Sequence, residues 1–165
     1  MRRDFKLEGA FEMKKIYFDM DGTVYNLYGI ENWLQMLRNE EKGAFTIGAP
    51  LVDMGKLEKV CVNLIKRGYQ IGIITWLPIG ASVEYMAVCT EEKRKWVEKY
   101  MPYVSEFYAQ EYGTPKQYAP AKRAAEMWLI DDNKEVREMW VTEKQRKAID
   151  ANNDILEALE ELERG

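Results

Sequence analysis

The chain has 165 residues, enough for one domain whose core needs no disulfide or metal staple. Its 24 basic and 28 acidic residues give a formal net charge of −4, which argues against a protein built to clamp a nucleic-acid backbone but leaves small phosphorylated ligands open, because a bound cation can supply positive charge locally. Histidine is absent, which excludes Ser-His-Asp and Cys-His nucleophile activation and histidine-rich zinc sites. Carboxylates, lysine, hydroxyls or a metal must carry any reaction.

Residues 1–12 are charged and lack periodicity, so a flexible arm is expected there, ahead of one domain over 13–165. Lys15 to Met20 is a short apolar run ending at Asp21-Gly22-Thr23, which predicts a first strand. Glu31 to Asn39 has Trp33, Leu34 and Leu37 at helical spacing, and Glu40 to Gly55 reads as loop. Lys56 to Lys66 carries Leu57, Val60, Cys61 and Leu64 on one stripe and stops at Gly68, a helix with its terminator. Tyr69 to Trp76 is a near-continuous apolar strand, the pattern of a strand covered on both faces.

Pro78 to Ser82 breaks the chain, and Glu91 to Tyr100 is an amphipathic helix. Val104 to Ala109 reads as strand, Ala121 to Glu126 as a short helix, and Met127 to Ile130 as strand. Lys134 to Trp140 reads as helix, Lys147 to Asp150 as a last strand, and Asp154 to Arg164 as a helix with one apolar side. Such alternation predicts an α/β layered fold around a parallel sheet, with ligands bound beyond the carboxyl ends of the strands.

The polar groups fall at those ends. Asp19 and Asp21 close the first strand, Thr75 the second, Lys116 follows the third, and Asp131 and Asp132 close the fourth. Carboxylates brought together would repel, and a hard divalent cation that favours oxygen ligands, such as Mg²⁺, resolves the repulsion. Such a site can transfer a phosphoryl group to a carboxylate nucleophile, with a second carboxylate two residues away as general acid and base. The i, i+2 spacing of Asp19 and Asp21 points both to one side of an extended segment.

Asp19-Met20-Asp21-Gly22-Thr23 resembles the DxDGT signature of the haloacid dehalogenase-like hydrolases. Thr75 after an apolar strand resembles that family's second motif, and Ile130-Asp131-Asp132-Asn133 its fourth, in the same order along the chain. The resemblance implies a three-layer sandwich with a mainly parallel Rossmann-like sheet. It implies Asp19 as nucleophile and metal ligand, and Asp21 as general acid/base that binds metal through its backbone carbonyl. Thr75 and a lysine would bind phosphate, and one or both of Asp131 and Asp132 would bind Mg²⁺, with Asp132 favoured as the direct ligand. Lys116 in the turn GTPK is favoured for the lysine, and Lys122 competes with it.

EEKRKWVEKYMPYV and the following LIDDN are similar to small 5′-nucleotidases of the deoxyribonucleotidase type. The expected activity is phosphomonoester hydrolysis, with a nucleotide as one candidate substrate. The short segment between Thr23 and Thr75 leaves room for a minimal cap or none. Such an open site accepts larger substrates or borrows cover from a partner, and is compatible with a homodimer. Trp33, Trp76, Tyr25 and Tyr28 are either a base-stacking surface or core and rim packing. Rival readings are a phosphoacceptor module and a non-catalytic binding protein on the same fold. Cys61 and Cys89 read as buried thiols of a reducing compartment, and no run reads as a membrane span or signal peptide. The expectation is therefore a cytoplasmic protein without membrane contact or a stable nucleic-acid complex.

Overall fold

The computed structural model describes residues 13–120 and 124–165. Five strands, β1 (Lys14–Phe18), β2 (Tyr69–Trp76), β3 (Glu106–Gln110), β4 (Glu126–Asp131) and β5 (Arg146–Asp150), form one all-parallel sheet in the order β3-β2-β1-β4-β5. Helices α1 (Trp33–Arg38), α2 (Met54–Lys66), α3 (Val83–Tyr100), α4 (Lys134–Trp140) and α5 (Ile155–Arg164) lie between or after the strands.

Side-chain alternation along β1 sorts the core into two. Ile16 and Phe18 belong to the larger cluster, with Leu57 and Leu64 of α2, Tyr85 and Trp96 of α3, and Leu159 of α5. Tyr17 points the other way, into a smaller cluster with Leu129 and with Val136 and Trp140 of α4. The sheet is thus sandwiched between helical layers, a Rossmann-like α/β architecture.

This order also decides where a site can open. β1 leads to α2 on one face of the sheet, whereas its neighbour β4 leads to α4 on the other. The two connections diverge, and a crevice forms between the carboxyl ends of β1 and β4. Pairing continues just past β1, where the Asp19 N–H donates to the Ile130 carbonyl at 2.9 Å.

Several boundaries differ from the sequence reading. Helix α3 begins at Val83 rather than Glu91, because the Ser82 hydroxyl accepts from the Tyr85 N–H and caps a turn whose valine, cysteine and threonine have weak helix propensity. Helix α1 has only six residues, with Asn32 before it in the left-handed region at φ 62°. The helix expected over Ala121 to Glu126 falls partly outside the described residues, and its remaining part is not helical, since Glu126 already opens β4. Residues 1–12 also lie outside the described residues. Among the described residues no helix is long and apolar enough to cross a membrane.

Carboxylates fasten the segment joining β1 to α2, termed the cap segment for its place beside the strand ends, to α3. Glu92 accepts from the backbone N–H groups of Gly43 (3.0 Å) and Phe45 (3.2 Å). Glu40 accepts from the Ser82 N–H (2.9 Å) and hydroxyl (2.6 Å), and Tyr85 donates to the Glu41 carbonyl at 2.7 Å. Tyr25 donates from within to the Ala44 carbonyl at 2.6 Å. Replacing Glu92 with alanine strips two backbone donors of their partner, at about 1–3 kcal/mol for each that stays dry. Glu92→Ala is expected to speed hydrogen exchange at Gly43 and Phe45 at least tenfold while the β1 and β2 amides stay protected. Unchanged exchange at those two amides would show that other contacts hold the cap.

Candidate active site

Strand β1 ends at Phe18, and the next residues turn sharply. The N–H groups of Thr23, Val24 and Tyr25 all donate to the Met20 carbonyl. This turn holds Asp19 and Asp21 at the crevice, and it requires Gly22 at φ +81°. A Cβ on Gly22 would stand 2.3 Å from Asp132 Oδ2, so the missing side chain is what lets the Asp132 carboxylate approach the turn. Asp131 is the last residue of β4, and Asn133 caps α4 by accepting from the Val136 N–H.

Among the described residues Asp19, Asp131 and Asp132 each offer a carboxylate oxygen within 4.8 Å of the others'. Lys116, on a 3₁₀ turn (Lys116–Tyr118) after β3, is buried between two of these acids. Its ammonium donates to Asp19 Oδ1 at 2.8 Å and Asp131 Oδ2 at 2.7 Å. Burial opposes that charge, but Asp19 and Asp131 outweigh it and hold the Lys116 pKa above its ordinary value. The competing Lys122 lies outside the described residues.

Sequence reading missed Lys93. It is fully buried on α3, on the same stripe as Tyr85, Cys89, Trp96 and Val97. Its ammonium donates to Asp21 Oδ2 (3.0 Å), the Thr75 hydroxyl (2.8 Å) and the Trp76 carbonyl (2.7 Å). The signal was a charge on an apolar helical stripe, where a lysine needs buried partners. Thr75 therefore accepts from Lys93 and keeps its own proton to donate. The other oxygen of Asp21, Oδ1, is buried without a partner among the described residues.

The acids differ in their surroundings. Asp131 has both oxygens taken, Oδ2 by Lys116 and Oδ1 by the Asn133 N–H at 2.9 Å. Burial and the Asp19 charge push its pKa up to about 6, against Lys116. Among the described residues no lysine pairs with Asp132, and burial together with the Asp19 charge pushes it up to about 7. Burial also raises Asp21, with Lys93 pulling the other way. Asp19 shares the Lys116 charge with Asp131, so the three acids carry more negative charge than that ammonium offsets, and their hard oxygens suit a divalent cation.

Above these groups lies a cavity of about 330 Å³, within the range of small-ligand sites. Asp19, Asp21, Lys116, Asp131 and Asp132 line its polar side. Its apolar side includes Tyr28 and Trp33, in edge-to-face contact at 4.9 Å, and Trp76 beside Tyr112 at 5.0 Å. Of the four aromatics considered from sequence, Tyr25 is core, while Tyr28, Trp33 and Trp76 face the cavity. No protein-family model and no curated protein matches this chain.

The raised Asp132 pKa fixes a pH dependence. Between its ordinary value of 3.8 and about 7, the metal-free folded state holds a proton that the unfolded state has lost, so stability falls as pH rises through that window. A divalent cation binds the ionised form, so its stabilisation grows over the same window. Mg²⁺ at about a hundred times its dissociation constant is expected to raise Tm by about 5 °C or more at pH 8 and by little at pH 5. Asp132→Asn should abolish the Mg²⁺ effect and make the metal-free protein more stable at pH 8. A Tm shift independent of pH or of Asp132 contradicts this assignment. Gly22→Ala should weaken Mg²⁺ binding in the same titration by displacing Asp132, besides destabilising the fold by about 1 kcal/mol or more.

Proposed function

We propose that this chain is a haloacid dehalogenase-like phosphohydrolase that cleaves phosphomonoesters through an aspartyl-phosphate on Asp19. The observation that carries the reading is the meeting of Asp19, Asp21, Lys116, Asp131 and Asp132, from three strand ends, at one crevice, with Thr75 of β2 buried behind it and tied to Asp21 through Lys93. Scattered helix caps and solvated turns have no reason to converge in this way.

Asp19 is the nucleophile. Its carboxylate is aimed by Lys116 on Oδ1 and by the Thr23 hydroxyl on Oδ2 at 3.2 Å. An Asp19 oxygen bonds to phosphorus as the bond to the leaving oxygen breaks, and Asp21 gives that oxygen its proton. Burial favours a protonated Asp21, and Lys93 fixes its Oδ2 while the carboxyl lines the cavity. Water then attacks phosphorus and returns a proton to Asp21, releasing phosphate and restoring Asp19. The Thr75 hydroxyl and Lys116 meet the phosphoryl oxygens.

Asp19 and Asp132 would hold Mg²⁺, with Asp131 steadying Lys116 beside them. The cation supplies charge screening between the anionic nucleophile and the anionic phosphate. The aromatic groups at the cavity suit a flat leaving group, and a nucleotide is one candidate.

Phosphate release from nucleotides, sugar phosphates and an aryl phosphate, with Mg²⁺ and with chelator, tests the reading. Asp19→Asn is expected to fall to background, and Asp21→Asn to lose about 10²–10⁴-fold in kcat. Full activity in Asp19→Asn rules the mechanism out. A phosphorylated form that persists for many minutes would favour a phosphoacceptor role instead.

A further inference from the structure

Arg38 and Lys116 are the two basic side chains among the described residues that line the cavity, and they differ in their commitments. Lys116 is consumed by Asp19 and Asp131, and Lys93 beneath the cavity by Asp21 and Thr75. Arg38 is exposed, and among the described residues no carboxylate or carbonyl takes its guanidinium.

Its placement on α1 is specific. Residues 33, 34, 37 and 38 are the ones this helix gives to the cavity, the i, i+1, i+4, i+5 stripe of one helical face. Trp33, Leu34 and Leu37 make that stripe apolar, and Arg38 ends it with a planar group of five donors. An apolar leaving group would match the first three and leave the guanidinium idle. A leaving group with a carboxylate or a second phosphate would match all four, because a guanidinium pairs with such groups through two parallel hydrogen bonds.

Charge arithmetic agrees. Four acids (Asp19, Asp21, Asp131, Asp132) face two lysines (Lys93, Lys116) around the crevice. With Asp21 protonated, a bound divalent cation would leave that set at +1, which the transferring phosphate dianion more than takes up, so among the described cavity-lining residues Arg38 is the positive charge left for a second anion.

We infer that Arg38 is a specificity-determining residue, selecting phosphomonoesters whose leaving group carries a second anionic group. This rests on the phosphohydrolase reading above and names the substrate class for the same cavity.

The test compares kcat/KM for phenyl phosphate with that for 3- and 4-carboxyphenyl phosphate in Mg²⁺, using wild type, Arg38→Gln, Arg38→Lys and Asp19→Asn. Wild type is expected to prefer at least one carboxylated ester by about tenfold, the worth of a charge-assisted pair. Arg38→Gln should bring that ratio close to one, and Arg38→Lys should keep part of it, because it retains the charge without the fork. A wild-type ratio near one for both isomers, or a preference that survives in Arg38→Gln, overturns the Arg38 assignment and leaves the phosphohydrolase reading standing. Absence of Mg²⁺- and Asp19-dependent hydrolysis of all three esters removes the phosphohydrolase reading and the Arg38 assignment with it.

Discussion

Four carboxylates stand at the carboxyl edge of one sheet, and two buried ammonium groups keep them there. Lys116 lies within 2.8 Å of both Asp19 and Asp131, and Lys93 lies 3.0 Å from Asp21. Without these lysines the crevice would gather like charges in a poorly solvated place, and the acids would protonate or the strand ends would part. The pairing is incomplete: among the described residues no lysine pairs with Asp132, and burial together with the Asp19 charge raises its proton affinity. The fold therefore tolerates one acid without an ammonium partner among the described residues, and beside Asp19 that acid is where a cation has most to gain.

The sheet order explains how groups so distant in sequence meet. Asp19 and Asp131 lie at the ends of adjacent strands whose following segments leave toward opposite faces, so a crevice opens between those ends. β2 on the other side of β1 brings Thr75, and the turn after β3 carries Lys116 back across. Lys93 arrives by a different route, from a helix packed beneath the strand ends, and it links the acid/base candidate Asp21 to the hydroxyl of Thr75.

Much of this was legible in the sequence. The continuous apolarity of Tyr69 to Trp76 marked a buried parallel strand, and the acids after Phe18 and Ile130 marked the edge that carries polar groups. What stayed hidden has physical causes. Lys93 sits among Glu91, Arg94 and Lys95, and a charge in such company reads as solvated until the helix is extended back to Val83 and its stripe is drawn. That extension was hidden by residues with weak helix propensity, whose turn forms because Ser82 caps it and Glu40 holds Ser82. Tyr25 and Tyr28 looked equivalent; only the fold separates a tyrosine whose hydroxyl bonds to Ala44 from one that faces the cavity.

Helix α1 contains no fully buried residue, although it supplies four side chains to the cavity wall. The large core forms mainly from the strands and from α2, α3 and α5, and the cap is tied down through backbone groups at 43 and 45 and the carboxylate of Glu40. Changes at the exposed positions 34 and 38 therefore alter what the wall recognises while removing little of the packing that keeps the chain folded, whereas Trp33 and Leu37 also pack against the large core. Mutational drift at those two exposed positions can retune molecular recognition with little thermodynamic penalty, whereas the acids and lysines below them are bound to one another, so a change in one leaves its partner's charge unmatched.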